Sequence, residues 1–203
     1  MSNKIVEWTL DDITGELQRI SLVSEPAIEE DFMFFNANIT KFKTIDSEKR
    51  VLTGVAMRPN IQIPRLDADG NLYYGYFSEE TVVKAAEIFF QKASNTNNTN
   101  LEHQFEVDGI FVFESWIVED PEIDKTKVLG LSNVKKGDWV VSMKVTNDQV
   151  WENYVKTGAV KGFSVEIRAN VEDVTLNAIK SILDSNEDDN IVFDALKEYL
   201  TSL

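Results

Sequence analysis

The stretch KGFSVE at residues 161–166 opens a pattern in which apolar and polar side chains alternate as far as Arg168. Such alternation predicts a β-strand with one face in the core, because successive side chains of a strand point to opposite sides. Phe163 and the apolar residues after it would lie on the core face, and Ser164 and Glu166 on the other. Ser164 is therefore predicted just after the start of a strand, where its hydroxyl can be exposed at the end of a sheet.

Upstream of this strand lies the single histidine of the chain, His103, in the segment Leu101–Phe105. Histidine is the most frequent general base in enzymes, and a serine hydroxyl becomes a strong nucleophile when such a base takes its proton. The residues therefore suggest a serine hydrolase with Ser164 as nucleophile and His103 as base. An isolated histidine is more often incidental, and most strand serines only face solvent, so the pair needs further support.

Composition and charge narrow the class of protein. The chain has 203 residues, of which 43% are hydrophobic, and a formal net charge of −15. This length predicts one compact domain, placed at residues 1–170, followed by a helical acidic tail at 171–203. The acidic charge argues against binding of nucleic acid, which needs clustered Lys and Arg. Partners should be proteins or small molecules.

Several chemistries are excluded by residue type. Cysteine is absent, which removes disulfides and thiolate catalysis. A single histidine argues against a zinc hydrolase, whose site generally needs two or three, and no other metal or cofactor is indicated. The sequence has no run of 18 apolar residues, so a membrane-spanning segment is not expected. The first residues lack the apolar core of a signal peptide, so export is not expected either.

The remaining pattern predicts an α+β fold dominated by strands. The clearest helix should begin after a Ser78 N-cap and run to about residue 93. Residues 63–65 around Pro64 are predicted to interrupt strand pairing, and the polar run 94–100 is predicted to be a mobile loop. Residues 67–71 should form a hairpin turn. Strands are predicted at residues 5–10, 17–23, 39–43, 50–57, 72–77, 111–118 and 137–145.

A carboxylate within the strand 111–118 is the first candidate for an acid beside His103. Glu114 shares its strand face with apolar neighbours, and a buried carboxylate needs a partner because its desolvation costs several kcal/mol. Histidine would be a suitable partner, and so would an arginine; alternatively, Glu114 would lie at an exposed strand edge. Glu166, on the Ser164 face, is the second candidate, and Glu25 is a third.

An ordered set of segments resembles the tailed-phage prohead (capsid maturation) proteases, and more closely the XkdF-type branch of these serine proteases. The set is Glu102-His103, Glu114–Asp120, Gly137-Asp138-Trp139, Trp151 with Val155–Gly158, and Gly162–Glu166. The resemblance covers most of residues 10–168. It implies an assemblin-like fold, a mostly antiparallel β-barrel with surrounding helices. It also implies that Ser164 is the nucleophile and His103 the base, the same pair that the residues suggest.

The third member of a triad is where the pattern departs from the family. A second branch carries a segment of the form E-I-S-L-V-x-x-P-A after the nucleophile, and its Glu resembles the triad acid. Here the matching segment, Ile20–Ala27, lies near the N-terminus, and Arg19 stands where the Glu would be. Glu114 therefore remains the first choice of acid, with Glu166 as the alternative. Backbone amides near Gly162, or speculatively Arg168, would bind the oxyanion.

By this resemblance, the substrates and partners are the scaffolding and major capsid proteins inside an assembling prohead in the host cytoplasm, with self-cleavage expected and a homo-oligomer left open. One alternative is a non-enzymatic phage assembly or structural protein that keeps the protease fold. Another is a small-molecule esterase, which the absence of a Gly-x-Ser-x-Gly elbow disfavours. A protease should have His103 and Ser164 within hydrogen-bond reach beside an open groove.

Overall fold

The computed structural model describes residues 4–10, 16–25, 33–34, 49–67, 69–131, 133–173, 183 and 197. The fold is α+β and consists mostly of strands. Its strands are β1 (Lys4–Thr9), β2 (Glu16–Val23), β3 (Met33–Phe34), β4 (Val51–Met57), β5 (Ile63–Leu66), β6 (Leu72–Tyr76), β7 (Thr99–Leu101), β8 (Phe105–Val107), β9 (Ile110–Ile117), β10 (Trp139–Val145), β11 (Gly162–Arg168) and β12 (Asn170–Asp173).

Helical structure is sparse among the described residues. The longest helix is α1 (Glu79–Gln91), and shorter ones are α2 (Lys125–Leu129) and α3 (Asp148–Val150). A 3₁₀ turn covers Ala93–Asn97, and a π-helical turn covers Trp151–Val155 directly after α3. The predicted cap of α1 is confirmed, since the Ser78 side chain accepts a hydrogen bond from the Thr81 amide.

The described strands form three four-stranded sheets, with the orders β12-β1-β6-β5, β3-β4-β10-β9 and β11-β2-β7-β8. Pairing is antiparallel except between β1 and β6 and between β2 and β7. In the described part of the chain the three sheets are not closed into a barrel, so the expected assemblin-like barrel is not shown. The third sheet holds β11, the strand of Ser164, at its edge, with β2 between β11 and the segment that carries His103.

A continuous core fixes this third sheet in place. Leu17, Ile20 and Leu22 of β2 are fully buried, and Phe163 of β11 is 1% exposed. Burial of each such side chain contributes about 1.5–3 kcal/mol. The core includes the fully buried Trp139, Trp151 and Phe89. The strand that carries Ser164 is therefore held by its apolar face, as the alternation at residues 161–166 predicts.

Two expectations about loops are wrong. Pro64 lies within β5, which pairs with β6 as an outer strand of its sheet, a position where a missing amide hydrogen is tolerated. The polar run 94–100 is not a free loop, because it forms the 3₁₀ turn and enters β7. Asn95 is 5% exposed, and its amide group donates to the carbonyl oxygens of Leu17 and Phe89. Buried hydrogen bonds of this kind cannot be read from a polar composition.

Most of the predicted tail lies outside the described residues, as does the predicted strand at 39–43. The proposed domain limit at residue 170 falls at the start of β12, which pairs with β1 through Asn170↔Thr9 and the three residue pairs that follow. No helix in the described part of the chain is long and apolar enough to cross a membrane.

Candidate active site

The nucleophile strand β11 places Ser164 directly opposite Ser21 of β2. Their antiparallel register also sets Glu166 opposite Arg19, and it shifts between Glu166 and Ile167. Directly opposed residues project from the same face of a sheet, so these four polar side chains share one surface. The predicted exposure of Ser164 on the polar face of its strand is consistent with its intermediate burial.

His103 reaches this surface from the tight turn between β7 and β8. The Gln104 amide donates to the Leu101 carbonyl, and both residues between them are left-handed, with φ of 53° at Glu102 and 57° at His103. Left-handed backbone is uncommon outside glycine and is retained where the surroundings enforce it. The strained turn is what aims the imidazole back over β2.

Glu102 fastens this turn to the end of β2. Its amide donates to the Leu22 carbonyl at 3.0 Å, and its carboxylate accepts a hydrogen bond from the Ser24 amide at 2.7 Å. A charged acceptor makes the second bond stronger than a neutral one. Both bonds hold the residue immediately before His103, so they limit the movement of the imidazole relative to β2.

The imidazole of His103 bridges two serine hydroxyls. Its Nε2 lies 3.0 Å from the Oγ of Ser164, and its Nδ1 lies 3.0 Å from the Oγ of Ser21. The His103 side chain is 39% exposed, so the ring is partly open to solvent. A serine and a histidine at this distance can exchange a proton directly, which is the geometric requirement for activating a serine nucleophile.

A carboxylate stands just behind the ring. The Glu166 Oε2 lies 3.9 Å from Nδ1 of His103 and 3.3 Å from Nε of Arg19. Arg19 also pairs with Glu106 at 3.3 Å. The second sequence-based choice of acid is thus brought to the site, at ion-pair distance and beyond hydrogen-bond distance. Its charge can stabilise a protonated imidazole through space.

The first sequence-based choice, Glu114, is not brought to His103. It lies on β9 in a different sheet, where it accepts a hydrogen bond from Ser142 at 3.0 Å and pairs with Lys125. The hydrogen bond from Lys125 lowers the pKa of this carboxyl, and the Ser142 hydroxyl adds to the effect. The expected burial of Glu114 is also corrected, since its side chain is 44% exposed and its charge is paired with Lys125.

The speculative oxyanion residue Arg168 also lies elsewhere. Its side chain is 78% exposed and pairs with Glu16 at 3.9 Å. Arg168 lies four positions after Ser164 along β11, a rise of about 13 Å. Glu25, the third candidate acid, is exposed beyond the end of β2. Among the described residues, the imidazole contacts Ser164, Ser21 and Glu166 rather than either of these side chains.

A cavity of about 320 Å³ adjoins the nucleophile. Ser164 forms part of its wall, and most of its lining is apolar or aromatic, with two arginines. Arg65 lies over the Trp8 ring at 5.6 Å, while Arg58 is neutralised by two hydrogen bonds to the buried Asp138. The other lining residues include Ile63, Tyr73, Phe77, Val165 and Val171. A cavity of this size accommodates one or two side chains of a bound chain.

Sequence reasoning missed Ser21 and the Arg19–Glu166 pair. Ser21 is the only polar residue in the buried run Ile20–Val23 and is itself 0% exposed. A lone hydroxyl in such a run was the available signal, because buried polar groups are generally hydrogen-bonded. Its partner could not be identified without the register of β2 against β11. The described residues hold no group of three or more His, Cys, Asp or Glu side chains suited to a metal ion.

A serine and a histidine at hydrogen-bond distance, with a cavity whose wall includes the serine, have the geometry that a serine hydrolase requires. Residues 38–173 match the model of the family described as "Putative phage serine protease XkdF". This match covers more than half of the chain, which therefore belongs to that family of phage serine proteases. β1 and β2 lie before the matched residues. The comparisons with curated proteins and with solved structures gave no match.

Proposed function

We propose that the protein is a serine endopeptidase of phage capsid maturation that cleaves scaffolding and capsid proteins inside the prohead and also cleaves itself. The observation that carries the proposal is the 3.0 Å contact between the Ser164 hydroxyl and Nε2 of His103. Family membership supplies the reaction class. The resemblance of the sequence segments to prohead proteases suggests the substrates.

In this mechanism, Ser164 attacks the carbonyl carbon of a peptide bond while its proton passes to Nε2 of His103. The C–N bond breaks as His103 returns that proton to the leaving amine, which leaves an acyl-enzyme. Water then attacks the ester, again with His103 as base, and regenerates Ser164. The carboxylate of Glu166 stabilises the imidazolium formed in each half of the reaction.

The cavity beside Ser164 supports a polymeric substrate. Its aromatic lining favours an apolar side chain near the scissile bond. The outer edge of β11 suits an extended peptide, since an edge strand can add a neighbour through main-chain hydrogen bonds. A small ester would use neither feature, which places esterase activity behind peptide cleavage.

Two measurements on the purified chain test the proposal. Intact mass is followed over time with and without scaffolding and capsid protein, and an organophosphorus probe is used to label activated serine. Wild type should clip and should gain one probe mass on Ser164, whereas Ser164→Ala should do neither. Loss of a nucleophile lowers the rate by a factor on the order of 10⁴–10⁶.

A control serine makes the labelling specific. Ser142→Ala removes a buried hydroxyl bonded to Thr53 and Glu114, away from His103, and should leave labelling of Ser164 intact. Labelling of Ser164 with no cleavage of any capsid protein would leave a serine hydrolase with another substrate. No labelling and no cleavage would favour the alternative, an assembly protein that keeps the protease fold.

A further inference from the structure

Ser21 is a buried hydroxyl whose described partner is the catalytic candidate base. It is 0% exposed, and its Oγ lies 3.0 Å from Nδ1 of His103, on the opposite side of the ring from Ser164. Neutral imidazole has one donor nitrogen and one acceptor nitrogen, and the bond at one nitrogen fixes which is which. Ser21 is therefore placed to set the protonation of the nitrogen that faces Ser164.

We propose that Ser21 is the positioning residue of this site, accepting a hydrogen bond from Nδ1–H and so keeping Nε2 free to take the Ser164 proton. This inference rests on the proposed function and deepens it. Ser21 touches neither substrate nor the reacting atoms. Its own proton stays on its oxygen throughout, the Nδ1 proton stays on nitrogen, and the only proton that moves is the one between Ser164 and Nε2.

The surrounding charges favour this tautomer. The Glu166 carboxylate lies 3.9 Å from Nδ1 and is held by Arg19 at 3.3 Å, so negative charge faces Nδ1. A proton on Nδ1 is stabilised by that charge, whereas a lone pair there would be repelled by it. No carboxylate of the described residues contacts Nε2.

The opposite arrangement makes a distinct and observable state. If Ser21 donated its hydroxyl hydrogen to Nδ1, the ring proton would sit on Nε2 and point at Ser164. That ring could not accept the Ser164 proton without first exchanging its own. The two states differ in the ¹⁵N shifts of both ring nitrogens, and the chain contains one histidine, so the spectrum needs no assignment.

The first experiment is ¹⁵N NMR of the neutral histidine ring in wild type, Ser21→Ala, Ser21→Thr and Ser164→Ala. Wild type should show the Nδ1–H form, Ser21→Ala should move the population towards Nε2–H, and Ser21→Thr should restore it by returning a hydroxyl. Ser164→Ala should keep the Nδ1–H form, since it leaves the Nδ1 side intact. An Nε2–H ring in wild type, read without any substitution, would overturn the inference.

Probe labelling of Ser164 supplies the functional readout. Ser21→Ala should slow labelling by about 10²-fold, the effect expected when a catalytic group is displaced by about 1 Å, and Ser21→Thr should recover part of the rate. If wild type is labelled and Ser21→Ala is labelled equally fast, the inference fails and the proposed function stands. If the Nδ1–H form depends on Ser21 but Ser164 is never labelled, the inference stands and the proposed function fails.

Discussion

Ser164 and Ser21 stand opposite each other on antiparallel neighbours, and the imidazole of His103 lies between their hydroxyls with 3.0 Å to each. The β2 strand thus separates the nucleophile strand from the strand β7, whose C-terminal turn carries the base. A shift of β2 along its axis would alter both contacts together. The pairing of these three strands is therefore the main structural determinant of the site.

Replacement of Glu166 by Gln should slow probe labelling of Ser164 by about 10-fold. Two opposite charges about 4 Å apart interact by about 4 kcal/mol at a protein surface before salt screening, and Glu166 is 41% exposed, so roughly a third of that is expected to remain. The labelling rate at low and high salt measures the effect. A carboxylate acting through space should matter less as salt rises.

Glu106→Gln is the matched control for this prediction. Glu106 pairs with the same Arg19 at the same 3.3 Å, but it is 81% exposed, and the carboxylate described beside His103 is that of Glu166 instead. Its replacement should leave the rate within about 2-fold of wild type, as is usual for an exposed pair. Equal losses in the two variants would show that Arg19, rather than the charge facing Nδ1, matters.

Glu102→Ala should reduce labelling and stability together, by loosening the turn that presents His103. The variant removes the acceptor of the Ser24 amide bond, a charge-assisted contact of about 1.5–3 kcal/mol. Glu102→Gln keeps an oxygen acceptor and should lose less on both measures. Urea unfolding and the labelling rate check this, and the idea fails if both variants label as fast as wild type.

Gly75→Ala should perturb the cavity beside Ser164. A Cβ on Gly75 would lie 2.1 Å from Cζ2 of Trp8, so the indole that lines the cavity would have to move. Overpacking of this kind costs about 1–3 kcal/mol. Cleavage of a peptide substrate should fall more than probe labelling, because the small probe does not need the cavity.

A double variant tests the cause of that loss. Trp8→Phe removes the ring atoms nearest to Gly75. The double variant Trp8→Phe/Gly75→Ala should therefore lose less stability than the sum of the losses in the two single variants. Strict additivity in thermal unfolding would mean that Gly75→Ala acts through something other than contact with Trp8.

The loss of folding stability at acidic pH should include a contribution from Glu114. Its pKa is lowered in the folded state by Lys125 and Ser142 from the ordinary value of 4.5, so its contribution is fully present above that value. The contribution is lost as the pH falls through the lowered folded pKa. Glu114 is 44% exposed, so Glu114→Gln should cost at most about 1 kcal/mol at neutral pH.

Urea unfolding at about pH 7 and about pH 2.5 separates this contribution from a general effect of the substitution. The difference between wild type and Glu114→Gln should be present at the higher pH and should shrink at the lower one, as the carboxyl becomes protonated in the folded state as well. The same difference at both pH values would rule out the ionised carboxyl as its source.

The local sequence pattern predicted the strands and the capped helix that frame the site, because polar–apolar alternation and N-capping depend only on residues close together in the sequence. β11 and α1 are the clearest cases. The barrel was not found, because sheet closure depends on which strands pair across long distances. The choice of Glu114 failed for a related reason, since the sequence shows that a carboxylate needs a partner without showing which one.

Ser21 shows what remains hidden at the level of sequence. A serine in an apolar strand is visible in the sequence, but the residues that it faces depend on which strand register is formed. A shift of one residue between β2 and β11 would place Ile20 or Leu22 opposite Ser164 and put Ser21 on the other face. Register is set by the whole apolar face of β2, which the local sequence around Ser164 does not contain.

The three side chains of the site are far apart in the sequence, which fixes the order in which they are synthesised. Ser21 and His103 are 82 residues apart, and Ser164 follows His103 by a further 61. During synthesis the base and its neighbour are made well before the nucleophile, and β11 must still pair with β2 after it leaves the ribosome. Under the proposed function, a nascent chain cannot cut its surroundings until Ser164 has been made and β11 has paired with β2, so cleavage begins only after this sheet has formed.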